Sequence, residues 1–293
     1  MLLEQKIKNL EKLSGAEQAI VNYILTSKHL LKKQTTRDIA KKTYTSASTL
    51  VHFAKKLGYS GFNELKEDYL NELEYIESHF KNIDANIPFV KDDSLHITSG
   101  KIKKLFQETI DDTYALIDFE QLELAINLIC KSNHIVLFGI GSTSLLLELF
   151  KQKITRINKK AIIESRVGEY IFNINTLDSN DCAILVSYSG ESESVLNYAL
   201  LLKERNIPFI TITSLGENSL SKISSLHLNI STREKQYSKI SSFSSDYSIE
   251  FILDLIYSGV FLKDYDNNFK TKINLSKTLE TCKFLTNPLI KEE

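Results

Sequence analysis

Proline occurs only three times and glycine ten times in 293 residues, so chain breaks are few and each one is informative. No run approaches the ~18 apolar residues that would suggest a membrane span. The opening Met1-Leu2-Leu3-Glu4-Gln5-Lys6 has no apolar core ahead of a cleavage site, so a secretory signal is not expected. Cysteine is scarce and odd in number. Cys130, Cys182 and Cys282 stand far apart without zinc spacing, which suits inert thiols in a reducing compartment. The six histidines form no pair at metal-binding spacing. These absences lead us to expect a cytoplasmic protein with no metal, no cofactor and no membrane association.

Composition is otherwise that of an ordinary globular chain, 42% hydrophobic and 25% charged. The length suggests about two domains at ~150 residues each. The 36 basic and 37 acidic residues nearly cancel, to a net charge of −1, but they are unevenly placed. Residues 1–70 hold 12 Lys/Arg against 7 Asp/Glu, a net of +5, and the remainder carries −6. A basic head on an acidic body suggests that the head meets a polyanion.

The first 80 residues read as helices. Ser14 with Glu17 forms a capping box, followed by Ile20, Tyr23 and Ile24 at helical spacing. Thr35 and Asp38 open a short helix through Lys42, and Ser46 caps another that stops at Gly58. Phe62, Leu65, Tyr69, Leu73 and Ile76 mark one long amphipathic helix. The stretch from about 81 to 100 lacks a period and contains Pro88, and it reads as a linker. Helical spacing resumes at Ile102.

Beyond it, helices alternate with short apolar runs: 134–139, 161–163, 182–187, 208–213 and 226–230. This is the pattern of a parallel sheet covered on both faces. We expect an all-α helix-turn-helix head joined to an α/β domain with a five-stranded parallel sheet of order 2-1-3-4-5. The expected boundaries are 1–78 for the head, 79–104 for the linker, 105–265 for the α/β domain and 266–293 for a polar C-terminal tail.

Between Lys28 and Ser60 the head has eight basic residues and one acid, the footprint of phosphate contacts. Candidate DNA-binding residues are Thr36 and Arg37 on the first helix of the motif. On the second they are Ser46, Ala47, Ser48, Thr49, His52, Lys55 and Lys56, where small hydroxyl residues can approach bases and phosphates closely. By charge and helix length alone, a helical bundle with a solvated lysine face remains an equal reading.

In the body, two hydroxyl-rich loops lie between a strand and a helix: Gly139-Ile-Gly-Ser-Thr-Ser144 and Ser187-Tyr-Ser-Gly-Glu-Ser192. Free amides and the helix dipole at such positions favour an anion. In a 2-1-3-4-5 sheet both loops open onto the crevice at the topological switch point. Ser144 stands where a dinucleotide fingerprint needs its third glycine, and no Gly-Lys-Ser/Thr motif occurs.

The run from Thr49 to Lys66, with Lys-Leu-Gly-Tyr-Ser-Gly-Phe at 56–62, resembles the head of RpiR-type transcriptional regulators. The two serine loops, with Ile-Thr-Ser214, resemble the sugar isomerase (SIS) domain. The resemblance implies a sugar-phosphate-responsive regulator, a repressor by lean, of carbohydrate or amino-sugar genes. Its implied partners are operator DNA, a small phosphosugar and further copies of the chain in a homodimer or homotetramer. It implies phosphate binding by Gly141, Ser142, Thr143, Ser187, Ser189 and Ser192, with the amides of Tyr188 and Gly190, without catalysis. Two residues depart from the family pattern: His52 replaces an arginine, and Asp246 stands where Ser-Arg is common. Glu169 and Glu191 are candidates to meet sugar hydroxyls. The alternative is a phosphosugar isomerase with Glu169 as proton carrier.

Overall fold

The computed structural model describes residues 3–8, 10, 13–79, 83–164 and 174–279. Two compact units divide the chain at Met1–Asp84 and Ala85–Glu293. Among the described residues no helix is long and apolar enough to cross a membrane.

The first unit is helical: α1 (Leu3–Lys8), α2 (Gly15–Ser27), α3 (Thr36–Lys42), α4 (Ala47–Lys56) and α5 (Phe62–His79), with a 3-10 turn at Lys28–Lys33. The capping boxes expected at Ser14/Glu17 and Thr35/Asp38 both form. Ser46 Oγ accepts the Thr49 amide to start α4, and Gly58 (φ +92°) follows its end. Ile20, Ile24, Leu50, Phe53, Leu65 and Tyr69 close one core and fix α4 against α2, α3 and α5.

The second unit holds α6 (Leu95–Ala115), α7 (Phe119–Lys131), β1 (His134–Gly139), α8 (Ser142–Thr155), β2 (Lys160–Ile163), β3 (Cys182–Val186) and α9 (Glu193–Glu204). Then come β4 (Phe209–Ser214), α10 (Ser219–Ile223), β5 (Leu226–Ile230), α11 (Phe243–Lys263) and α12 (Tyr265–Leu279). The five strands are all parallel in the order β2-β1-β3-β4-β5, as expected. Separate cores cover the two faces of the sheet. One includes Ile135, Ile184, Phe150 and Ile252, and the other Val136, Phe138, Ala183 and Tyr198.

Two boundaries differ from expectation. Residues 85–104 are not a free linker. Ala85 is buried, Phe89 meets Phe243 edge-on at 6.3 Å, and Ser94 caps α6 eight residues before Ile102. The exposed Leu95, His96 and Ile97 give that first turn no apolar stripe, so its period was invisible. The polar tail also folds further than expected. α12 continues to Leu279 and Asn268 is buried, its amide donating to the Phe261 carbonyl at 3.1 Å at the end of α11.

Parallel helices α6 and α11 pack through small hydroxyl residues. Thr109 donates to Ser244 and Thr113 to Ser248, each at 2.9 Å and one turn apart. This contact brings the N-terminus of α11 to the same end of the sheet as the two serine loops.

Candidate functional site

A cavity of about 300 Å³ lies at the C-terminal ends of β1 and β3, the neighbours at the switch point. Its lining includes Ser142, Thr143, Ser187, Tyr188, Ser189 and Ser192 of the two loops, with Gln236, Lys239, Ser245 and Asp246 from beyond β5. Three helices, α8, α9 and α11, begin here, and none has a side-chain cap bond from its N-cap residue. Away from the cavity, Ser94, Asp118 and Asn218 do cap α6, α7 and α10. Helix amides left without a cap need an anion or water.

One of the three N-termini is already filled. The buried Glu234 carboxylate accepts the Ser244 and Ser245 amides of α11 and the Ser245 hydroxyl at 2.7 Å. Lys239 neutralises it at 2.8 Å and lies 5.2 Å above the Tyr188 ring. The N-termini of α8 and α9 remain for a ligand.

The predicted loop residues divide by what their side chains already do. Among the described residues, the hydroxyls of Ser187 and Ser192 have no hydrogen-bond partner within the protein, so both can donate to an anion. Ser189 Oγ accepts the Glu191 amide at 3.2 Å, which leaves its proton available. Thr143 is turned back onto the Ile140 carbonyl at 2.8 Å. Ser142 donates to Asp246 at 2.9 Å. Burial pushes the Asp246 carboxyl up, and the Ser142 bond counters part of that. The Tyr188 side chain is a fastener, so what it was expected to offer a ligand is its amide. Its hydroxyl donates to the Glu234 carbonyl at 2.8 Å and accepts the Glu234 amide at 3.0 Å.

Gly141 and Gly190 do not line this cavity; they shape its loops, at φ +69° and +68°. At Gly190 a Cβ would sit 2.0 Å from Asn218 Oδ1. Asn218 was not legible in the sequence, yet it organises this corner. It donates to Thr213 Oγ1 at 2.8 Å and caps α10, and the Leu220 amide returns to the Gly190 carbonyl at 3.1 Å. Glu191 accepts the Ser219 amide at 2.9 Å, so its carboxylate is spent on α10 rather than on a sugar. Glu169 lies outside the described residues. Glu234, Gln236 and Lys239 were also missed, since Ser231-Thr-Arg-Glu-Lys235 reads as a plain polar loop.

In the head, α3 and α4 form the helix-turn-helix. The turn runs through Tyr44 (φ +53°), whose side chain is 98% exposed. Leu50, Phe53 and Ala54 face the core, which leaves Ser48, His52 and Lys55 along one exposed stripe of α4. Arg37 is exposed on α3. Four predicted contact residues are engaged elsewhere. Ser46 and Thr49 share the cap, Thr36 donates to Asn63 at 3.1 Å, and Lys56 pairs with Glu17 at 2.9 Å.

Comparison with known proteins agrees with both halves. Residues 1–76 match the helix-turn-helix domain of the rpiR family, and residues 128–253 match the SIS domain. The chain is an RpiR-type transcriptional regulator. It is 25% identical over 255 residues to the uncharacterised HTH-type transcriptional regulator YbbH of Bacillus subtilis, covering 87% of this chain and 88% of YbbH. The Vibrio vulnificus NanR protein, solved in complex with ManNAc-6P, superposes with TM-score 0.62 at 21% identity, over 98% of this chain and 100% of NanR. The sugar isomerase domain of an RpiR transcription factor from Sphaerobacter thermophilus gives TM-score 0.55 at 15% identity. That match covers 61% of this chain and 98% of that domain.

Proposed function

We propose that this RpiR-type regulator is a cytoplasmic repressor that binds operator DNA through its head and a phosphosugar in the cavity of its body. The observation that carries the effector reading is the convergence of two uncapped helix N-termini with the unspent hydroxyls of Ser187 and Ser192. Such a cradle fits a phosphate dianion, which takes donors from several directions. NanR, which shares the fold, is described with the phosphosugar ManNAc-6P, which supports the same ligand class here. Gly141, Ser142, Thr143, Ser189 and Gly190 build or border the cradle, and Tyr188 holds its far wall.

On the DNA side, Ser48, His52 and Lys55 face the major groove, with Arg37 on the flanking phosphates. Ser46, Ala47 and Thr49 set the start of the recognition helix, and Thr36 sits beside it. A homodimer or homotetramer presents paired heads to half-sites about one helical turn, or a multiple of it, apart. The genes controlled belong to carbohydrate or amino-sugar metabolism.

Binding without turnover is part of the proposal. Among the described lining residues Asp246 is the one carboxylate, and Lys239 is held by Glu234. Among the described residues, therefore, no free acid–base pair faces the cavity. The test is fluorescence anisotropy of the full chain on labelled operator DNA while phosphosugars are titrated. One phosphosugar is expected to release the DNA, with no effect from the unphosphorylated sugar. DNA affinity unmoved by every phosphosugar would overturn the effector assignment.

A further inference from the structure

The cradle contains a charge that does not belong to a simple anion site. Asp246 lies in the first turn of α11 and lines the same cavity as Ser187 and Ser192. Its carboxylate accepts from Ser142, the residue that begins α8. Among the described residues no lysine or arginine lies within ion-pair distance of it. The nearby Lys239 is instead bound to Glu234. The described charges of the wall are therefore Lys239, matched by Glu234, and Asp246, which is left over. A phosphosugar whose only charge is its phosphate would bring a dianion into a cavity that already holds a carboxylate. That carboxylate is half-buried, and burial raises the cost of its charge.

A ligand that carried a cation on its sugar would reverse the sign of that interaction. Its phosphate would take the α8 and α9 amides and the serine hydroxyls, and its cation would take Asp246. We propose that Asp246 selects a phosphosugar bearing a free, protonated amine, so that the effector is an aminohexose phosphate rather than its neutral or N-acetylated counterpart. This rests on the phosphosugar reading of the cavity. An acetamide or a hydroxyl can hydrogen-bond to Asp246, but neither supplies the charge. The charge-assisted bond to an ammonium is the stronger one. A cavity of about 300 Å³ is at the small end of the range for ligand sites, which suits a single phosphorylated hexose.

The test is calorimetric titration of the full chain at pH 7 with hexose 6-phosphates. The set comprises gluco, manno and galacto configurations, each as the 2-amino, 2-hydroxy and 2-acetamido compound. The tightest ligand is expected to be an amine, preferred about tenfold or more over both counterparts of its own configuration. Asp246→Asn keeps an acceptor for Ser142 and removes the charge. In that variant the preference should shrink to about twofold, by weaker amine binding and stronger binding of the neutral compounds. A thermal melt of the variant confirms that it folds. A neutral counterpart binding as tightly as the amine, or a preference that survives Asp246→Asn, overturns the selection by Asp246 while leaving the phosphosugar reading intact. Binding of no member of the set by either protein overturns both.

Discussion

The side-chain oxygen of Asn86 accepts the backbone N–H of Lys235 at 2.7 Å, and the Asn86 carbonyl accepts the Ile240 amide at 2.8 Å. One residue thus grips both ends of the segment that carries Gln236 and Lys239 into the cavity. In sequence, Asn86 lies just after the DNA-binding head. We expect a ligand that shifts the 234–242 wall to load the chain segment at Asn86. Ligand changes DNA affinity only through such a difference between two arrangements. We expect Asn86→Ala to leave phosphosugar affinity within about threefold and to cut the ligand's effect on DNA affinity by about fivefold or more. Paired calorimetry and anisotropy check it; an unchanged effect on DNA would remove Asn86 from the relay.

The loop at Gly190 has no room to vary. A side chain there meets Asn218 and forces a positive φ on an ordinary residue. Gly190→Ala should cost about 2–4 kcal/mol and abolish ligand binding. Adding Asn218→Ala removes the contacts to Oδ1 and Cγ and leaves the one to Cβ at 2.8 Å, so the pair should be less destabilised than the sum of the single changes. Chemical denaturation of the four proteins measures this, and strict additivity would show that the two residues do not meet.

Lys55 and Lys56 are neighbours with different tasks. Lys55 lies on the exposed stripe of α4, and Lys56 is held by Glu17. Ser14 amide donation, together with Lys56, keeps the Glu17 carboxyl below its usual range. Lys55→Ala should lower the slope of log affinity against log salt by about one, as expected for one lost phosphate contact. Lys56→Ala should leave the slope nearly unchanged and cost stability by no more than about 1 kcal/mol. Equal slope changes in the two variants would place both lysines on phosphate.

Asp181 ties the starts of β1 and β3. It accepts the His134 amide at 3.0 Å, the His134 ring at 2.8 Å and the Asp178 amide at 3.0 Å. Burial alone would raise its pKa, but these donors outweigh burial and hold it below 3.8. The stabilisation is therefore present at neutral pH and is lost as pH falls from about 4 through the lowered value. Asp181→Asn should be about 1–3 kcal/mol less stable at pH 7. Its deficit should shrink below pH 4, as the wild-type carboxylate is protonated. A deficit independent of pH would assign the loss to packing instead.

Much of the fold was readable because its signals are local. Five apolar runs alternating with helices give a parallel sheet, and the two serine loops sit on adjacent strands once the order is 2-1-3-4-5. The same loops marked the cavity, since small hydroxyl residues before a helix announce free amides. What stayed hidden depends on contacts far apart in the chain. Glu234 fills the N-terminus of α11 ten residues later, Asn86 grips a segment 149 positions away, and Asn218 packs against Gly190. None of these three carries a periodic or motif signal. Hydroxyl counting also cannot see that Thr143 spends its donor on the Ile140 carbonyl of its own loop.

We expect the α8 and α9 N-termini, with Ser187 and Ser192, to hold the phosphate of an effector that is bound and not converted. Phosphorus NMR of a phosphosugar panel mixed with the full chain tests both parts at once. The line of one phosphosugar should broaden without any new peak. The broadening should be lost in Ser187→Ala/Ser192→Ala, which removes about tenfold or more in affinity. A product peak that grows with time, or broadening that persists unchanged in the double variant, would contradict it.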